Sequence, residues 1–323
     1  ALPIFDPIAL ATTMNKLSKL CKQDEQKQKL RTDSRFKRLL EHVSKAVSMF
    51  REHAVANSLH AMASLGADNK PLLLALCARA KHVHIVLRVK PIDIAHILWS
   101  LATLNYRDEQ LLKVLIARFE QILQNQPDEV QPQNISNILW GLSLLEFAAP
   151  ALFTAASKFA LPRLADFKPQ ELSNVVIAFA RFGIKDEQLF SGLMQQLDKR
   201  FSEFDEQGIA NTLWANAKLG FKQEQTLRSI TARLPSRLSE FNAQALANTA
   251  WAFAVLGIKD EQLFKAISAA ALVPGKLAQF TDQNLVNLLY AFAVLNLHDP
   301  KLFEAVCATI LPRLSTLISQ HFC

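Results

Sequence analysis

FNAQALANTAWAFAVLGI, residues 241–258, can be laid without a gap over FDEQGIANTLWANAKLGF at 204–221 and FTDQNLVNLLYAFAVLNL at 280–297. The octapeptide GIKDEQLF stands at 183–190 and again, unchanged, at 257–264, with a looser copy, YRDEQLL, at 106–112. Self-similarity at a fixed period of this length marks stacked structural repeats, and it decides the fold class before any single element is assigned.

The aromatic residues Phe167, Phe204, Phe241 and Phe280 open successive units, and the same step carried upstream reaches Val130, Val89 and Phe50. These seven anchors are separated by 39, 41, 37, 37, 37 and 39 residues. A blurred eighth unit opens at Phe5 with FDPIALATTMNKLSKL. Numbered from its anchor as zero, a unit carries apolar residues at +5, +6, +9, +12, +13 and +15, the spacing of an amphipathic helix, here helix A.

Helix A starts where its caps predict. Position +1 offers Asp6, Asp205, Asn242 or Thr281 as N-caps, and +2 offers Pro7, Pro91, Pro132 or Pro169, whose fixed φ suits a first helical turn. At +16 stands Gly66, Gly183, Gly220 or Gly257, replaced by Asn105 or Asn296, residues that tolerate the left-handed conformation ending a helix; Glu146 is the exception. In GIKDEQLF, therefore, Gly ends helix A, the Asp-Glu pair caps helix B against its unpaired N–H groups, and Leu-Phe begin the apolar face of helix B. The octapeptide is a hinge and carries no chemistry of its own.

One such hairpin cannot cover its own apolar face, whereas a stack buries a continuous core. The expected fold is all-α, a right-handed α-solenoid of about eight helix-turn-helix repeats of about 37 residues. Residues 1–49 form a degenerate repeat with a basic insertion, 50–316 the seven-repeat solenoid and 317–323 a tail. The insertion at Gln23–Ser34 is expected as an unstructured loop, with a smaller one at Gln124–Glu129.

Half the residues are hydrophobic, enough for a large core, yet no run approaches 18 apolar residues, so no membrane span is expected. Cys21, Cys77, Cys307 and Cys323 lie far apart without a CxxC pair and read as free thiols of a reducing compartment. The chain opens on Ala1 rather than Met, consistent with processing or trimming. Net charge is +7 and unevenly spread: residues 1–90 hold 16 Lys and Arg against 7 Asp and Glu, residues 91–323 hold 20 against 22. Such a basic end suits a polyanionic partner, or a solvated helix surface.

At 100° per residue, +3, +7 and +14 lie opposite the +5, +9 and +12 core stripe. Position +7 holds Asn57, His96, Asn137, Asn174, Asn211, Asn248 and Asn287, and +3 holds Gln133, Gln170, Gln207, Gln244 and Gln283. Asn is a mediocre helix former, so this recurrence needs a reason beyond propensity. Two present themselves: a ladder of amides facing a base edge or a polymer backbone, or a set of bonds locking neighbouring repeats. Next to them, +10 carries Trp99, Trp140, Trp214, Trp251 and Tyr290, with His60 and Ile177 as departures; a large indole at a fixed helical place is expected as inter-repeat core.

Sequence readout requires positions that vary between repeats. Position +4 supplies Asp93, Asn134, Glu171 and Asn284, and +14 adds Arg181 and Lys218. Four residues before each anchor, or at the equivalent place in the last unit, stand Arg163, Arg200, Arg237, Lys276 and Arg313, a basic ladder suited to phosphates or to the negative ends of helices. Nothing points to an enzyme: GxGxxG, Walker, HExxH and nucleophile-elbow motifs are absent from the sequence. His82 and His84 lack an acidic or Cys companion at ligand spacing, so neither metal nor cofactor is expected.

The units built as F-x-x-Q-x-(I/L)-(A/S)-N-x-x-W-A-x-A-x-L-G resemble octotricopeptide repeats and, more loosely, heptatricopeptide and FAST-kinase-type repeats, over residues 50–316. The resemblance implies a solenoid binding single-stranded RNA, mRNA or rRNA, in a mitochondrion or chloroplast, where members stabilise, process or help translate transcripts or hold rRNA fragments. It makes the +7 and variable +4 residues the RNA-facing set. Without an effector domain such a chain suits a passive RNA clamp or an organellar ribosome constituent, with ribosomal or other RNA-associated proteins as neighbours and no small-molecule substrate. The competing reading is a protein-interaction scaffold, a class that includes secreted bacterial repeat effectors.

Overall fold

The computed structural model of the chain describes residues 6–321, with side chains described through Arg313, so the Phe5 anchor and Cys323 lie outside the described residues. Every regular element among the described residues is helical. They fall into two compact units that meet in sequence between Ala160 and Leu161.

The first unit contains α1 (Pro7–Leu20), α2 (Asp24–Thr32), α3 (Ser34–Ala46), α4 (Glu52–Leu65), α5 (Lys70–Ala80), α6 (Val83–Val86), α7 (Pro91–Thr103), α8 (Glu109–Asn125), α9 (Pro132–Leu144) and α10 (Pro150–Ala160). Helices A are α1, α4, α7 and α9, each packed on the next; in the second layer α3 packs on α5, and α8 on α10. The second unit contains α11 (Pro169–Arg181), α12 (Glu187–Lys199), α13 (Glu206–Lys218), α14 (Glu224–Arg233), α15 (Ala243–Val255), α16 (Glu261–Ala271), α17 (Asp282–Val294) and α18 (Pro300–His321). Here α11, α13, α15 and α17 stack in order, with α12 on α14 behind them. Each unit is thus a two-layered α-solenoid of helical hairpins.

All seven anchors are buried, and so is the stripe the periodicity marks, for example Leu246, Ala250 and Phe253 on α15. Each buried Phe side chain contributes about 2–3 kcal/mol by leaving water, which is why a large aromatic at one place per repeat can fix the stacking. Small residues are buried beside that stripe as well, such as Ala247 and Ala254 of α15.

The caps form as their residue types require. Oδ1 of Asp205 accepts from Gly208 N at 2.7 Å, Oδ1 of Asn242 from Ala245 N at 2.9 Å, and Oγ1 of Thr281 from Asn284 N at 3.2 Å. At helix B, Asp108, Asp186, Asp260 and Asp299 each accept from the backbone three residues on, at 2.8–3.0 Å. The hinge of GIKDEQLF closes through Ile184 N to Phe179 O at 3.0 Å and Ile258 N to Phe253 O at 2.9 Å, with Gly183 and Gly257 at φ 68° and 66°. Glu146 takes the same left-handed turn at φ 52°, a conformation that costs a side-chain-bearing residue about 1–2 kcal/mol.

The insertion after α1 is not the unstructured loop its charge suggested. Gln26 Oε1 accepts from Lys22 N and Gln23 N, starting α2, and Arg31 Nη1 donates to Leu65 O at 3.2 Å, tying α2 to the end of α4. Cys21, Cys77 and Cys307 are free thiols, and burial pushes Cys77 up to about 12. Among the described residues no helix is long and apolar enough to cross a membrane, and no group of three His, Cys, Asp or Glu is placed to hold a metal ion.

Candidate nucleic-acid interface

Helix A presents one stripe away from the core. On α13 it reads Gln207, Asn211, Trp214 and Lys218; on α15 Gln244, Asn248, Trp251 and Val255. Because the A helices of a unit pack side by side, these stripes lie in parallel within it.

The +7 amides are half-buried, apart from Asn57, which is buried. Gln207 Nε2 donates to Asn211 Oδ1 at 2.8 Å, and Gln283 Nε2 to Asn287 Oδ1 at 2.8 Å. With that oxygen occupied, Nδ2 of each Asn remains as a donor. Asn242 Nδ2 reaches Gln207 Oε1 at 3.4 Å, extending the chain of amides from α15 to α13. Asn137, Asn174 and Asn248 make no hydrogen bond to protein through their side chains among the described residues. A glue between repeats would need such bonds; these amides are instead available to a partner.

The +10 aromatics meet across neighbouring repeats, as expected, but are not fully buried. Trp99, Trp140, Trp214 and Trp251 are half-buried, as are His60 and Ile177, and Tyr290 is 47 % exposed. In the second unit the Trp214 and Trp251 rings are 6.2 Å apart between centroids, tilted by 35°, and Lys218 Nζ lies 4.9 Å from the Trp214 centroid. In the first, His60 stacks against Trp99 at 5.0 Å and His96 at 4.5 Å. Burial, then the neighbouring His96, holds the His60 imidazole down to about 4, and burial lowers His96 as well, so the pair is uncharged at neutral pH. A position 280° around the wheel lies within about 20° of +3 and 40° of +14; that angle was the available signal that +10 belongs to the amide stripe.

The variable +4 residues have a different role from readout. Asp93 is 1 % exposed, and Asn134, Glu171 and Asn284 are also buried. Each accepts from the backbone N–H three residues earlier: Asp93 from Lys90, Asn134 from Gln131, Glu171 from Lys168 and Asn284 from Thr281, at 2.8–3.2 Å. They close the first turn of helix A, and Asp93 additionally holds His53 Nδ1 at 2.7 Å. Their variety reflects several side chains able to do one capping job.

The basic ladder is likewise engaged. Arg200 Nη1 donates to Phe167 O at 2.7 Å, Arg237 Nη1 to Phe204 O at 2.8 Å and Arg313 Nη1 to Phe280 O at 2.7 Å. Arg200 and Arg237 also pair with Glu203 and Glu240. Each guanidinium clasps the anchor carbonyl of its own repeat, so these three are withdrawn from phosphate contact; Arg163 and Lys276 are half-buried. Arg181 and Lys218 are exposed at the end of the stripe.

The family model of the RNA-editing substrate-binding complex 8 protein matches residues 87–323, from just before the Val89 anchor. No curated protein matches the chain. The octotricopeptide resemblance thereby reduces to its coarser content, an RNA-associated helical-repeat chain. With most of its length covered by that match, the chain belongs to the RNA-editing substrate-binding complex 8 protein family.

Proposed function

We propose that the chain binds single-stranded RNA along its A-helix stripes, as a non-catalytic member of an organellar RNA-editing assembly, in the mitochondrion. The observation that carries this reading is the half-buried amides Asn137 in the first unit and Asn174 and Asn248 in the second, with no protein partner among the described residues, and the exposed Arg181 and Lys218 of the second unit's stripe. Amides offer donor and acceptor together, the complement of a base edge, while cations follow the backbone. The family's name, which couples RNA editing to substrate binding, supports the same direction. The RNA's partners in the assembly are then other RNA-associated proteins, and a transcript is favoured over ribosomal RNA.

Replacing Asn174, Asn211 and Asn248 together by Ala tests it. Each lost hydrogen bond costs about 0.5–1.5 kcal/mol, so affinity for single-stranded RNA falls roughly 10- to 1000-fold while helical circular dichroism persists. RNA crosslinked to the native chain at discrete places should disappear in the triple variant; unchanged crosslinking refutes the amide stripe. The scaffold reading keeps one observation of its own, the exposed row Val286, Tyr290 and Val294 on α17. Complex formation insensitive to salt would favour it, since RNA binding weakens steeply as salt displaces the gain from counterion release.

A further inference from the structure

All four tryptophans of this chain occupy one register position, +10, and none of them is buried. In the second unit that row comprises Trp214 on α13, Trp251 on α15 and Tyr290 on α17. The neighbouring positions Ala247, Ala250 and Ala254 are small and fully or almost fully buried, whereas the rings of the row stay partly open. Flat rings left partly in solvent, in file with amides three residues before them, ask for a flat partner.

We propose that Trp214, Trp251 and Tyr290 form a ledge on which successive nucleobases of the bound strand stack; this rests on the RNA-binding reading above and adds the way the bases are held. The geometry sets how they stack. A base held between two rings needs parallel faces, whereas the indoles of Trp214 and Trp251 stand 6.2 Å apart between centroids and are tilted by 35°. They leave no slot, so bases lie on the outer faces, one repeat after another. Lys218, 4.9 Å from the Trp214 ring centroid, places a cation beside the stacked strand, and Asn211 and Asn248 flank the rings on the same stripe. Stacking uses the π face that every base has, so the ledge grips sequence-tolerantly, and selectivity falls to the amides. Ile177, the equivalent on α11, offers no ring, so the ledge starts at α13.

With Trp99 and Trp140 of the first unit replaced by Phe, the tryptophan emission of the full chain reports on Trp214 and Trp251 alone. The experiment titrates it with an end-labelled single-stranded RNA dodecamer and with an abasic ribose-phosphate dodecamer of equal charge. Label anisotropy and tryptophan emission are followed together. The ledge requires quenching that saturates with the anisotropy for RNA and no quenching by the abasic strand. Trp251→Leu should weaken RNA about 5- to 150-fold while leaving abasic affinity and helicity unchanged, and Tyr290→Leu, at an exposed site, should weaken RNA similarly without threatening the fold. RNA binding with unquenched emission, or with both variants at native affinity, overturns the ledge and leaves the RNA reading standing. No anisotropy change with RNA overturns both.

Discussion

The two units solve the same stacking problem with different materials. The second, from Leu161, uses Phe at every anchor, keeps a spacing of 37 or 39 residues and balances 16 Lys and Arg against 15 Asp and Glu. The first has Val at two of its anchors, an extra helix in α2, a left-handed Glu in place of Gly, and 20 Lys and Arg against 14 Asp and Glu. Its stripe carries His60 and His96 where the second carries Ile177, aromatic rings or amides. Regularity and charge are therefore distributed oppositely: the regular unit is nearly neutral, and the irregular one holds the surplus of cations. Uniform packing leaves the second unit's stripe to vary with the ligand, whereas the first is the one whose charge attracts a polyanion at range.

The widest difference is expected at the anchors. Phe241→Ala removes a fully buried ring and should cost about 3–5 kcal/mol, seen as accelerated amide exchange across α13 to α17. Val89→Ala should cost about 2 kcal/mol, read in α4 to α9. Equal effects would mean that the aromatic anchors add nothing over Val.

Acid should separate the units next. The folded His60 titrates near 4 against an ordinary 6.5, because its charged form is disfavoured by burial. Between these values the unfolded chain binds the proton and the folded chain does not. Its contribution is thus present above pH 6.5 and is lost as pH falls toward 4, amounting to about 2 kcal/mol at pH 5. Amide exchange at pH 7 and pH 5, corrected for intrinsic rate, should show α4 and α7 loosening before α13 and α15. His60→Gln should flatten that dependence; if it does not, the acid sensitivity lies elsewhere.

The smallest change exchanges the hinge residues. Glu146→Gly should raise the stability of the first unit by about 1 kcal/mol, and Gly183→Ala should lower that of the second by a similar amount. At Gly183 a Cβ would meet nothing within 4 Å, so the whole cost would come from φ. A neutral result in both would show that the left-handed turn is not where the strain is held.

Much of this fold was legible in sequence because its period is written in residue types with one physical job each. Gly or Asn at +16, Asp at the head of helix B and Pro at +2 can be read singly, and each took its expected conformation. Legibility failed where one residue type has two jobs. Asp93 and Glu171 vary as a reading surface would, but a carboxylate near a helix start is also a cap, and only burial distinguishes the two. Trp251 is apolar enough for a core and flat enough for a ligand, and only its neighbours on the wheel decide. The arginine ladder was visible as a column, but its acceptors, carbonyls more than 30 residues away in sequence, were not.

Those arginine clasps have a genealogical consequence. Phe204 and Arg237 lie in one span, 204–240, as do Phe167 and Arg200 in 167–203. Donor and acceptor of the anchor clasp are inherited together, so copying one span carries that fastening whole, while the second bond of Arg237, to Phe201 O at 3.0 Å, ties its span to the one before. A lineage built from such spans can change the length of its stack by whole repeats, each arriving with its own latch.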